Sequence, residues 1–291
     1  MKHRTTMIDP SVVGMLEECE ESGKARPYLA DEESNGSLDV LSTEEVGGRE
    51  IVVISDLHIA AGLDANWRYA GTENFFNDDA FARFIDHLLA TPTETGRILV
   101  INGDFIDFIR IVRLPDSDDD FEAWNDRLAE LGQPQTPEML RTSIVPKERR
   151  YGLRTHDYKS VWRLWRVIEG HPELFAALAR WLDDERNRLV ILKGNHDLEW
   201  LWLLVRNGLR LELARMIADD RAQRSKEEAG EAEDEDIGEI LQTRIFPHLH
   251  FIDDAVALDR VYIEHGHRYD RLTNVVGNRR RPTATSAGRS S

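Results

Sequence analysis

The chain has 291 residues, 41% of them hydrophobic, and a formal net charge of −17 from 54 acidic against 37 basic side chains. That size suits one large α/β domain, and the acidic surplus argues against a broad footprint on nucleic-acid phosphates. The single cysteine, Cys19, excludes a disulfide framework and a thiolate metal site.

Residues 1–48 are rich in Glu, Ser, Gly and Asp, end in Val46-Gly47-Gly48, and read as a mostly irregular extension. The run Ile51-Val52-Val53-Ile54 then predicts a strand buried on both faces, which stops in a polar turn holding Asp56 and His58. After a polar loop with Trp67, Arg68 and Tyr69, residues 79–90 place Phe81, Phe84, Ile85, Leu88 and Leu89 at helical spacing behind Asn77 and Asp78. A second strand, 97–101, breaks into Asn102-Gly103-Asp104-Phe105-Ile106-Asp107. Strand, helix and strand form one right-handed βαβ unit.

Residues 110–150 show no clear period; with an acidic loop at 116–120, they read as an insertion beside the site. Residues 158–169 and the stretch opened by Pro172 carry helical apolar faces that cover the sheet, so their tryptophans are core. The third strand, 189–192, breaks into Lys193-Gly194-Asn195-His196-Asp197, and a helix follows from Trp200 through Ile217. The acidic segment 219–239 is a solvated loop or helical extension. His248 and His250 alternate on a further strand, and Val261-Tyr262-Ile263 breaks into Glu264-His265-Gly266-His267. The tail, 277–291, holds Arg279, Arg280 and Arg281 and is expected to be disordered. No leader and no apolar run near the roughly twenty residues that span a bilayer is found, so a cytoplasmic protein without a transmembrane segment is expected. No pattern indicates an oligomeric state.

One Asp and one His in a strand-to-helix turn are ordinary turn chemistry. Four short strands that each end by delivering a metal-competent side chain, usually beside a glycine, are harder to assign to turns. In open α/β sheets such strand ends are where ligands collect.

Asp56-x-His58, Gly103-Asp104-x-x-Asp107, Gly194-Asn195-His196-Asp197 and His265-Gly266, in that order across about residues 51–270, resemble the calcineurin-like metallophosphoesterase superfamily. Within it, they look most like the bacterial branch that includes UDP-2,3-diacylglucosamine hydrolase. The resemblance implies an α/β fold in which a sandwich of two mixed β-sheets, residues 49–276, is flanked by helices. It also implies two divalent metal ions of manganese, iron or zinc. By position, Asp56 and His58 would hold one metal, Asn195 and His265 the other, and Asp104 would bridge them. A metal-activated hydroxide would attack phosphorus while His196 assists the leaving group and Asp197 holds its ring, with Asp107 in a supporting role.

The sequence departs from the family in its last motif, because no Gly-His-x-His follows His265. Three readings are open: the chain is C-terminally truncated relative to the family, or substitute ligands come from elsewhere, with His267 as one and His248 and His250 as a weaker one, or water holds the metals weakly. The implied activity is hydrolysis of phosphate esters or phosphoanhydrides of a phosphorylated small molecule. The alternatives are a catalytically impaired relative acting as a metal-binding or interaction scaffold, and a nuclease of the same fold, which the acidic charge disfavours.

Overall fold

The computed structural model describes residues 38–41, 46–230, 235–269 and 273. Most of the 1–48 extension, Cys19, and the 277–291 tail lie outside the described residues.

The chain enters through β1 (Leu38–Leu41) and β2 (Glu50–Ile54), crosses by α1 (Asp78–Ala90) to β3 (Arg97–Asn102), and then builds three short helices. These are α2 (Asp118–Glu130), α3 (Pro137–Ser143) and α4 (Pro146–Tyr151), followed by α5 (Asp157–Gly170), α6 (Pro172–Asp183) and β4 (Arg188–Leu192). The long α7 (Leu203–Ala229), the single turn α8 (Ile237–Ile240), and the strands β5 (Leu249–Ile252), β6 (Ala255–Leu258) and β7 (Val261–Glu264) complete it. The protein is mixed α/β.

β2, β3, β4 and β5 pair in that order as an all-parallel sheet. Its central strands read as continuous apolar runs because both faces are covered. Leu99, Ile101, Leu189 and Ile191 face the helices, whereas Ile98, Val100, Val190 and Leu192 face Val256, Leu258 and Ile263 of the second sheet. Each such side chain contributes about 1.5–3 kcal/mol on burial. The second sheet has the order β1-β6-β7, with β1 parallel and β7 antiparallel to β6.

Two expectations are corrected here. Only the smaller sheet is mixed, the larger being all-parallel. β2 is an edge strand rather than one buried on both faces, and Val53 keeps 47% of its surface exposed. A run of β-branched residues reports strand, not position within the sheet.

The 110–150 region is also more regular than its sequence suggests. Asp118, Asp119 and Asp120 form the first turn of α2, not a loop, where they complement the helix dipole. The Ser117 hydroxyl accepts the Asp120 N–H at 3.1 Å as its cap, and Phe121, Trp124 and Leu128 are buried. Thr136 caps α3 in the same way. A buried ion pair, Lys159 Nζ to Glu148 at 2.8 Å, ties α4 to α5. α7 continues through the acidic segment to a left-handed cap at Gly230. No helix among the described residues is long and apolar enough to cross a membrane.

Candidate metal centre

The site lies where β2, β3, β4 and β7 end. The turns after β2 and β3 stay paired beyond the strands: the N–H groups of Asp56, His58 and Ile59 donate to the carbonyls of Gly103, Asp104 and Phe105. Asp107 returns a bond from its N–H to the Ile59 carbonyl at 2.9 Å. Asp56, His58 and Asp104 take left-handed backbone angles (φ 56°, 49° and 50°). Such angles are unfavourable for residues with a β-carbon and concentrate where surroundings hold a side chain in place.

Two glycines let these turns close on one another. A β-carbon at Gly103 would sit 2.4 Å from the His265 ring, and one at Gly194 would sit 2.1 Å from Asp104 Oδ1. β7 is brought in by the Asn102 amide, which donates to the Glu264 carbonyl at 3.2 Å. The turn after β4 is anchored by Asp197. Its carboxylate accepts the N–H of Gly194 at 2.6 Å, the N–H of Phe105 at 2.9 Å and the Trp200 indole N–H at 3.1 Å.

At the centre, Asp104 Oδ2 lies 3.3 Å from His265 Nε2 and 3.6 Å from His58 Nε2, which is itself 3.8 Å from Asp56. Asp104 Oδ1 accepts the His196 N–H at 2.9 Å. Two groups of donors gather close enough to hold a cation: Asp56, Asp104 and His265, and His58, Asp104 and His196. Asp104 belongs to both.

Electrostatics follow from this packing. Burial pushes the Asp104 carboxyl up, but hydrogen bonds from His265 and the His196 N–H bring it down to about 2. His265 is raised to about 9 by Asp104, while its Nδ1 bonds the Asn102 carbonyl at 2.8 Å. That bond directs Nε2 toward the carboxylates.

Each expected site residue can now be placed. Asp56, His58, Asp104 and His265 converge. Asp56 shares a donor group with His265, and its carboxylate also lies 3.8 Å from His58 Nε2. Asn195 stands between Gly194 and His196, both of which pack against Asp104, and it is partly buried. Asp197 does not hold the His196 ring. Its oxygens are taken by the two turn N–H groups and the Trp200 indole, and burial pushes it up to about 7. The carboxylate beside the ring is Asp107, whose Oδ2 lies 3.1 Å from His196 Nδ1, off the line of a full hydrogen bond, and 3.6 Å from His58 Nδ1.

The His267 ring lies tilted beside that of His265 with ring centres 5.4 Å apart, and its Nδ1 is buried without a partner among the described residues. Burial pushes it down to about 4. His248 and His250 lie elsewhere, because the His248 carbonyl accepts the Leu189 N–H near the amino end of β4, while the donors gather at the carboxyl end. Burial holds both well below the usual imidazole range, to about 3. Sequence reasoning missed Arg110, whose Nε donates to Asp107 Oδ2 at 2.8 Å.

A mixed set of carboxylate oxygens and imidazole nitrogens suits manganese, iron or zinc. The fit is supported by a carboxylate shared between two donor groups and by strained backbone that holds the side chains inward. Comparison with family models, curated proteins and solved structures gave no match.

Proposed function

We propose that the chain is a calcineurin-like metallophosphoesterase that hydrolyses phosphate esters or phosphoanhydrides of small molecules. The observation that supports this reading most is the convergence of Asp56, His58 and His265 around the single carboxylate of Asp104 at the carboxyl ends of the strands. Two neighbouring cations repel, and a shared anionic ligand offsets that repulsion. Asp56, His58, Asp104 and His265 would hold the metals, with Asn195 added from the turn after β4. When bound, the metals supply Lewis acidity toward phosphoryl oxygens and a more acidic water at neutral pH.

The protein's own part is orientation and proton transfer. His196 stands at the centre's rim, its side chain 34% exposed, and gives a proton to the departing oxygen. Asp107, beside Nδ1, orients the ring. Asp197 acts one step further out by fixing the turn that carries both Asn195 and His196.

The test is turnover of mono- and bis-p-nitrophenyl phosphate by the manganese-loaded protein, with the metal-to-protein ratio measured. Turnover lost in Asp104→Asn and His196→Ala is the expected result. A wild-type protein that retains metal but hydrolyses neither ester in manganese, iron or zinc would overturn the reading.

A further inference from the structure

Arg110 sits on the short turn Phe108–Arg110 that follows Asp107. Its backbone is pinned from both sides: its N–H donates to the Asp107 carbonyl at 3.0 Å, and its own carbonyl accepts the Thr72 hydroxyl at 2.7 Å. The side chain is fixed through one nitrogen only, Nε, which donates to Asp107 Oδ2. That oxygen also faces the rings of His196 and His58. The guanidinium therefore meets the reacting groups across a single carboxylate oxygen.

The remaining nitrogens of Arg110 have no protein partner among the described residues, and the side chain is 42% exposed. Asp107 meets Arg110 through Nε alone and lies 3.1 Å from the His196 ring and 3.6 Å from the His58 ring, whereas the guanidinium of Arg163 is buried on Glu199. A planar fork with two free N–H edges, held rigidly beside an anion-processing centre, matches two oxygens of one phosphoryl group. A metal centre draws phosphoryl oxygens from one side. Arg110 offers donors from the side that Asp107 and His196 define.

We infer that Arg110 is a substrate-binding and specificity-determining residue that grips phosphoryl oxygens and selects dianionic monoesters over monoanionic diesters. The inference rests on the phosphoesterase reading and deepens it. A monoester has three non-esterified oxygens and a diester only two, so a monoester that gave one oxygen to the metals would still offer two to the guanidinium, whereas a diester would offer one. One such bond corresponds to about a ten- to hundredfold difference in binding.

The test compares wild type with Arg110→Gln and Arg110→Lys in manganese. Steady-state kinetics on p-nitrophenyl phosphate and bis-p-nitrophenyl phosphate is read beside calorimetric binding of inorganic phosphate to the metal-loaded protein. In Arg110→Gln, kcat/KM for the monoester should fall about ten- to hundredfold, mainly through KM, and phosphate affinity should fall by a similar factor. The diester should change by less than about threefold, manganese content should stay at the wild-type level, and Arg110→Lys should recover part of the monoester loss. Equal losses on both esters, or unchanged phosphate affinity, would overturn the inference. If wild type hydrolyses neither ester, the phosphoesterase reading fails separately, and phosphate affinity in Arg110→Gln still decides whether Arg110 binds the anion.

Discussion

Two buried histidines in this protein carry nearly the same local chemistry and do different things. His265 faces Asp104 at the candidate metal centre, while His171, between α5 and α6, faces Asp78 at 2.8 Å and Glu73 at 3.2 Å. Neighbouring carboxylates raise each ring to about 9, and Asp104 and Glu73 are each brought down to about 2. What differs is completeness. Glu73 also accepts the N–H groups of Ala60, Gly62, Asn74 and Phe75, and the His171 side chain is fully buried. The Asp104 cluster instead borders an exposed Asp56, sits on left-handed backbone and, among the described residues, leaves Nδ1 of His267 unpartnered. The same residue types form a lock where every donor is met and a candidate site where some are left over.

The largest effect that would break this contrast is at Asp104. Asp104→Asn should abolish manganese binding, measured by calorimetry and metal analysis, while the protein still folds, as judged by circular dichroism. Next, His171→Ala should destabilise the fold by about 3–5 kcal/mol in urea unfolding, because it removes the cationic partner of the buried Glu73 and the half-buried Asp78. Metal affinity should hardly change. If His171→Ala instead removed the metal and left stability intact, the assignment of lock and site would be reversed.

pH sharpens the comparison. The His171 ring has a higher proton affinity folded than unfolded, so its contribution is fully present below about 6.5 and lost as pH rises through about 9. Wild type should lose about 3 kcal/mol more than His171→Gln between those limits, read from paired urea titrations. The smallest of these effects concerns Asp107. Asp107→Asn should reduce turnover about ten- to hundredfold with metal still bound, and Asp197→Asn should lower thermal stability before it alters the kinetics.

The strands and most helices were legible because their signals are local. The strand ends carried their Asp and His residues in plain view, and the apolar periods of α1, α5 and α6 marked the helical layer. Less legible were features that depend on a neighbour far away in sequence. Val53 looks like a core residue until β2 is found at the edge. In α2, Phe121, Trp124 and Leu128 are spaced three and four apart behind Ser117, but the aspartate run between obscured the helix start. Asp197 is adjacent to His196 in sequence, so it was the natural partner for the ring. Only the fold shows that its oxygens turn inward to Gly194 and Phe105 while Asp107 arrives from β3. The lock of Glu73, Asp78 and His171 has no spacing signal, since its members come from a loop, the first residue of α1 and the junction between α5 and α6.

The hydrogen bonds that continue between the turns after β2 and β3 have a thermodynamic corollary. Because Asp56, His58 and Asp104 are extensions of the sheet's own ladder, the conformational entropy of assembling these donors is lost when the core forms rather than when a cation arrives. Ions of different radius would therefore meet a cage with little freedom to adapt. Discrimination among them would come from how well each tolerates fixed distances, not from which donors swing in to meet it.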